Sequence, residues 1–301
     1  MRLAITGGTG FVGSHLINVA LTAGHSIKAL TRREQPPREN VDWIAGDLGS
    51  REALEKLVGN ADAVIHVAGT ITAPNAAGFE KGNVQGTLAM LAAATAGGVQ
   101  RFVHVSSLAA REPKLSLYGA SKAKAEELVH SSGLNWAIVR PPAVYGPGDR
   151  ETLELFRMAK LGLMLMPPKG RVSVIHAADL SRLLVALAAP LAPSNKLIEP
   201  DDGNPGGWSH REFARALASA VGTKAAVISS PGILLRMAAR ADQFLRGEKA
   251  KLTTDRAAYF SHRNWVVEPK RAAPPKLWRP EVETLAGLAN TASWYREKGW
   301  L

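Results

Sequence analysis

The stretch Thr6-Gly7-Gly8-Thr9-Gly10-Phe11-Val12-Gly13 decides the reading of this chain. An apolar run at residues 3–6 precedes it and helical periodicity over 12–23 follows, so the glycines occupy a strand-to-helix turn. Two glycine patterns overlap there. Gly8, Gly10 and Gly13 fit G-x-G-x-x-G, whereas Gly7, Gly10 and Gly13 fit G-x-x-G-x-x-G. In either pattern, positions without a side chain let the backbone approach a pyrophosphate, whose charge then rests on the helix N-terminus. The turn is therefore read as a dinucleotide-binding one, with Gly7, Gly10, Phe11, Val12 and Gly13 against the cofactor.

Outward from this turn, short apolar runs alternate with helical patterns. Strands are expected over 26–30, 42–45, 63–67, 101–105 and 136–139, and helices over 51–58, 84–96 and 118–131. Gly24, Gly59, Gly97-Gly98 and Gly133 stand at helix stops. Such alternation gives an α/β fold: a Rossmann-type, doubly wound parallel sheet with helices on both faces. After Pro141 the pattern changes, and Pro141-Pro142, Gly146-Pro147-Gly148 and Pro167-Pro168 mark loops. A strand over 172–175 and a helix over 178–188 follow. A helix over 209–221 has Ser209 and Glu212 placed for a capping box, and a basic amphipathic helix covers 233–245. A proline-containing loop spans 272–275, and a terminal helix runs over 281–298. The expected division is a Rossmann domain over 1–149 and a smaller substrate lobe over 150–301, with residues 171–198 returning to the Rossmann sheet.

The strand after the first helix ends in Leu30-Thr31-Arg32-Arg33. A carboxylate there would hold the ribose hydroxyls of NAD, and none is present at the strand end. The guanidinium groups of Arg32 and Arg33 suit a 2′-phosphate, which favours NADP over NAD. Asp47-Leu48 follows the third strand and is placed to meet the adenine; Ala68-Gly69 ends the fourth, where small residues let the backbone pass beside the cofactor. Tyr118 and Lys122 are four residues apart and share one helix face. A phenol titrates near pH 10. A neighbouring ammonium and a positive nicotinamide ring are expected to lower it toward proton exchange. Ser106-Ser107 at the preceding strand end supplies a hydroxyl for a substrate oxygen.

Composition narrows the alternatives. The 301 residues carry a formal charge of +11 and no cysteine. Without cysteine there is no disulfide, thiolate catalysis or cysteine-ligated zinc. The eight histidines never fall at i, i+4 spacing, so no metal is expected. The basic residues are dispersed, Arg32-Arg33 and Lys270-Arg271 being the densest groups, which argues against a nucleic-acid partner. No run of about 18 apolar residues is present and no secretory leader is visible, so the expectation is a cytoplasmic chain without a membrane partner.

Taken together, Thr6 to Gly13, Asp47-Leu48, Ala68-Gly69, Asn83-Val84-Gln85-Gly86-Thr87, His104-Val105-Ser106-Ser107, Tyr118-Gly119-Ala120-Ser121-Lys122 and residues 140–148 resemble the extended short-chain dehydrogenase/reductases, the NAD-dependent epimerase/dehydratase family. The resemblance spans nearly the whole chain. It implies that Tyr118 is the acid/base, Lys122 its helper and Ser107, rather than Ser106, the hydroxyl that orients substrate. It further implies that His176-Ala177-Ala178-Asp179 packs the substrate lobe and that Trp294-Tyr295-Arg296 lies on a terminal helix. Two departures bear on the reaction. Leu108-Ala109 stands where dehydratases of the family carry an Asp-Glu pair, and Ala143-Val144 precedes Tyr145-Gly146-Pro147 where many nucleotide-sugar enzymes carry an asparagine. Ser107 and Tyr118 are also only 11 positions apart, closer to the family's reductases and hydroxysteroid-dehydrogenase-like members. The expectation is an NADP-dependent oxidoreductase acting on a small-molecule carbonyl/alcohol pair. A sugar epimerase with tightly held cofactor and a non-catalytic NAD(P)-binding assembly or regulatory protein are the alternatives. The helices over 84–96 and 118–131 match the pair through which many relatives form homodimers.

Overall fold

Runs such as Leu3-Ala4-Ile5 and Ala63-Val64-Ile65 are apolar at every position, as befits strands covered on both faces. A computed structural model of the chain describes residues 1–247 and 253–301. In it these runs are the middle of a seven-stranded sheet, and all six residues are fully buried. The strands are β1 (Arg2–Thr6), β2 (Ser26–Thr31), β3 (Val41–Ala45), β4 (Ala63–His66), β5 (Arg101–Val105), β6 (Asn135–Val139) and a late strand, Lys196–Ile198. Their spatial order is Lys196–Ile198, β6, β5, β4, β1, β2, β3, and every pairing is parallel. The chain winds from β1 toward β3 on one side and from β4 toward β6 on the other. The carboxyl ends of β1 and β4 thus form the switch point where open α/β sheets bind ligands.

The helices of this half are α1 (Phe11–Thr22), α2 (Arg51–Val58), α3 (Ala76–Phe79), α4 (Gly86–Ala96) and α5 (Leu117–His130). Ser50 caps α2 by accepting from the Ala53 N–H, and Ser116 caps α5 by accepting from Gly119. Leu54, Leu57, Met90, Leu91, Ala94 and Val129 from these helices close on Val64, Phe102 and Ile138 of the sheet. The helix expected to begin at residue 84 instead continues α3 through a π turn, Glu80–Gln85, into α4. Within that turn the buried Asn83 side chain bonds back to the backbone of Thr70, a tertiary tie that local periodicity does not reveal.

Two compact units divide the chain. The first comprises Met1–Pro141, Ala178–Pro200 and Lys270–Arg279; the second comprises Pro142–Ala177, Asp201–Pro269 and Pro280–Leu301. Residues 142–149, assigned to the Rossmann domain from sequence, therefore fall in the second unit, and a piece of the C-terminal half falls in the first. The expected strand over 172–175 is two strands. Arg171–Val172 pairs with Trp208–Ser209 and Asn264–Trp265, whereas Val174–His176 pairs with Ala143–Tyr145. Between them Ser173 is buried and donates to Asp201, which breaks the run. Only residues from 178 onward rejoin the first unit, and Lys196–Ile198 completes its sheet. The second unit has its own core around Tyr145, Phe156, Met164, Phe213, Leu217 and Tyr295. The capping box of Ser209 and Glu212 forms as expected. The terminal helix starts later, at Thr284, because the Glu283 carboxylate accepts from the N–H groups of Leu285 and Ala286.

Candidate active site

Gly7 takes φ +73°, and a Cβ on it would lie 2.7 Å from the backbone nitrogen of Ala68. A Cβ on Gly13 would lie 2.0 Å from the Gly7 carbonyl oxygen. These two positions bring the turn into backbone contact with the chain after β4 and with α1, contact that no side chain tolerates. A Cβ on Gly8 would meet the tip of Ile17 at 2.9 Å and one on Gly10 would lie 3.3 Å from the Gly7 carbonyl oxygen. Gly10 is the N-cap of α1, with no side-chain cap and no carboxylate in the first turn. The N-terminal amides of Phe11, Val12 and Gly13 are thus left for an outside anion, as a pyrophosphate requires.

Around this turn lie the other cofactor candidates. Arg32 and Arg33 are exposed after β2, and neither guanidinium has a hydrogen-bond or ion-pair partner among the described residues. Thr31 is buried and donates to the Arg33 carbonyl at 2.6 Å, which fixes the backbone from which both arginines project. Asp47 is exposed and accepts from the Gly49 N–H at 2.8 Å. Leu48 leans on α4, where a Cβ on Gly86 would lie 2.6 Å from its Cδ1. At the end of β4, the Ala68 N–H donates to the Thr6 hydroxyl at 3.2 Å. A Cβ on Gly69 would lie 2.9 Å from Asn83 Oδ1 and 3.9 Å from Lys122 Nζ.

The structure brings Ser107, Tyr118 and Lys122 together. Ser107 lies near enough to Tyr118 to act on its phenol, and the Ser107 hydroxyl accepts from the Ala109 N–H at 3.1 Å. Lys122 is buried, and its ammonium donates to the Val105 carbonyl at 2.7 Å. Burial lowers the Lys122 pKa to about 8, against the opposing pull of Glu126. In the chain alone burial raises the Tyr118 phenol and Ser107 works the other way; the expected lowering counts the nicotinamide ring as well as the ammonium. Within the chain alone, desolvation outweighs any help from the neighbouring ammonium.

Sequence reasoning missed the supports. Asn83 accepts from the Thr70 N–H at 2.6 Å, donates to the Thr70 carbonyl at 2.9 Å and to Ser121 Oγ at 2.8 Å. Ser121 donates in turn to the Tyr118 carbonyl at 2.7 Å. Ser106 is committed elsewhere, donating to Glu126, whose carboxylate holds Arg140 in a two-point pair at 2.8 and 2.6 Å. Glu199, fully buried, faces Arg140, Arg111 and Arg271 at 3.5, 3.6 and 3.8 Å. The i, i+4 step from Lys122 to Glu126 was the available signal; the distant arginines had none. Beneath the site, His66 shares its ring nitrogens with Thr6 at 2.7 Å and Thr87 at 3.2 Å, and stacks on His104 at 5.5 Å. Burial lowers His66 to about 3 and His104 well below its ordinary value, with Lys122 adding to both effects. Neither ring nitrogen of His104 has a hydrogen-bond partner among the described residues.

In the second unit, His176 packs edge-on against Tyr145, and the Tyr295 hydroxyl donates to the Asp149 carbonyl at 2.6 Å. In the first, buried Asp179 pairs with Arg182.

A family model described as the NAD dependent epimerase/dehydratase family matches residues 3–196. The chain belongs to this family. Family membership and reductase-named relatives make it an NAD(P)-dependent oxidoreductase-type enzyme. It is 38% identical to a ceramide reductase of Caulobacter vibrioides, across 99% of this chain and 96% of that protein. It is 31% identical to the 4-hydroxy-2-methyl-3-oxo-4-farnesyl-3,4-dihydroquinoline-1-oxide ketoreductase of Stigmatella aurantiaca, over 81% of this chain and 80% of the other. Among solved structures, WbmG of Bordetella bronchiseptica in complex with NAD has the same fold, with a TM-score of 0.77 at 20% identity, covering 100% of this chain and 95% of that one.

Proposed function

We propose that this family member is an NADP(H)-dependent reductase of a ketone borne by a long-chain lipid of the ceramide kind. The observation that carries the reaction is the placement of Ser107 beside Tyr118, with the buried Lys122 ammonium one helical turn further on. The substrate class is supported by the Caulobacter relative, alike over nearly the full length, and by a second relative whose named substrate joins a ketone to a farnesyl chain.

Bound NADPH supplies the hydride that becomes the new C–H bond. The amides of Phe11, Val12 and Gly13 would hold its pyrophosphate, Arg32 and Arg33 its 2′-phosphate, and Asp47-Leu48 and Ala68-Gly69 would border the rest. Ser107 orients the carbonyl oxygen by a hydrogen bond. Tyr118 gives that oxygen its proton, so ketone, hydride and proton become a secondary alcohol. A raised phenol pKa suits this direction, since the group is fully protonated at neutral pH before the hydride arrives. Lys122 stabilises the phenolate left behind. Leu108 and Ala109 in the turn after Ser107 are buried and apolar, so no carboxylate stands there to move protons in a water loss.

The test is to supply the purified chain with NADPH and a ketone analogue of ceramide. One alcohol should form per NADPH oxidised, and Tyr118→Phe should bind NADPH normally while losing nearly all turnover. Product formation without net NADPH loss, or full activity in Tyr118→Phe, overturns the reading.

A further inference from the structure

The helix Gly232–Arg246 leaves a stripe of large apolar side chains to solvent. Ile233 and Met237 are each 60% exposed and Phe244 is 90% exposed. At the helical angle of about 100° per residue, these three lie within about 40° of one another, along roughly 16 Å of helix. Arg240, also exposed, falls on the same stripe. Immediately before this helix, Ala226–Ser229 pairs with Leu163–Met166 so that Ile228 stands opposite Leu165. Both are about half exposed, whereas the alternate residues Met164 and Met166 are buried. The ribbon therefore turns an apolar face outward. A Cβ on Gly232 would lie 3.6 Å from Pro168, which ties the helix start to the end of the ribbon.

Single exposed apolar side chains are ordinary, but five on elements joined by strand pairing and by the chain mark a docking surface. The charge around them selects the occupant. Lys160 and Lys224 are exposed on the segments that lead into the ribbon. Across residues 222–247 four basic residues stand against one acid, Asp242, which is already paired with Arg246. A second copy of this chain, itself at +11, would bring like charge to like.

We propose that this surface seats the chain on an anionic lipid bilayer, with Ile233, Met237 and Phe244 entering the headgroup boundary. The choice of a bilayer rests in part on the lipid-ketone reading above, since such a substrate resides there. The absence of a spanning helix among the described residues is no obstacle, because the contact lies on the surface.

The experiment is co-sedimentation of the full chain with vesicles of phosphatidylcholine alone or with added phosphatidylglycerol. Partition onto the anionic vesicles should be at least about tenfold stronger and should weaken in about 0.5 M salt. Met237→Asp/Phe244→Asp should lower it at least about tenfold, with an unchanged circular-dichroism melt and unchanged NADPH binding. Equal sedimentation of variant and parent, or none with either vesicle, overturns the proposal. So does dimerisation that the double variant abolishes while no vesicle binding is seen. Reduction of a detergent-dispersed lipid ketone without vesicle binding sinks the surface and leaves the reductase reading. Vesicle binding without reduction does the reverse.

Discussion

Replacing His104 by phenylalanine isolates the cost of burying an imidazole with no partner. Below pH 6.5 the ring takes a proton in the unfolded chain but not in the folded one, where burial, the Lys122 ammonium and His66 all oppose the charge. The unfolded state then binds more protons, so stability is fully present above pH 6.5 and is lost as the pH falls. The loss by pH 5 depends only on the folded value lying lower than that. It is 1.5 units at about 1.36 kcal/mol each, or roughly 2 kcal/mol. Phenylalanine has no such proton in either state. At pH 7 His104→Phe should stay within about 1 kcal/mol of the parent, since a slight gain in volume is set against the removal of two unsatisfied nitrogens. Urea unfolding, followed through the tryptophans at pH 7 and pH 5, measures the difference. The parent should lose about 2 kcal/mol more than the variant between the two pH values, and carboxylate contributions cancel in the comparison. An identical pH dependence in both proteins would refute the neutral, buried state of His104.

Arg32→Ala/Arg33→Ala should erase at least a tenfold preference for NADPH over NADH, since a charge-assisted hydrogen bond contributes about 1.5–3 kcal/mol and about 1.4 kcal/mol is tenfold; equal affinities in the parent would dismiss the arginines. Glu199→Gln removes the buried carboxylate that Arg111, Arg140 and Arg271 all face and should cost about 3–5 kcal/mol of folding stability. A denaturation midpoint that barely moves would show the cluster to be well solvated.

The nucleotide-facing half was legible in the sequence because each of its signals is local. The glycine turn, the apolar strands and the Tyr118–Lys122 spacing all follow from neighbours within one or two elements, and β5 and α2 run over the residues expected. What escaped was set at long range. Ser173 splits a continuous apolar run only because Asp201, 28 residues on, receives its hydroxyl. Asn83 bends its helix into a π turn because Thr70 offers both backbone groups. The burial that raises the Tyr118 phenol in the chain alone depends on the whole fold and has no local signal. The ribbon of Leu163–Met166 and Ala226–Ser229 joins segments some sixty residues apart, and neither carries a turn signal pointing to the other.

The first unit is not a contiguous stretch of chain, and that has a consequence for synthesis. A ribosome releases β1 to β6 early, but the edge strand Lys196–Ile198 emerges only after the 142–177 excursion, and Lys270–Arg279 later still. Until Arg271 appears, the buried carboxylate of Glu199 has Arg111 and Arg140 beside it but lacks its third guanidinium and the backbone bond from its N–H to the Arg271 carbonyl. From the emergence of Glu199 to that of Arg271 the edge strand of the nascent sheet therefore lacks one of its ties, and no truncation short of residue 279 yields the finished unit.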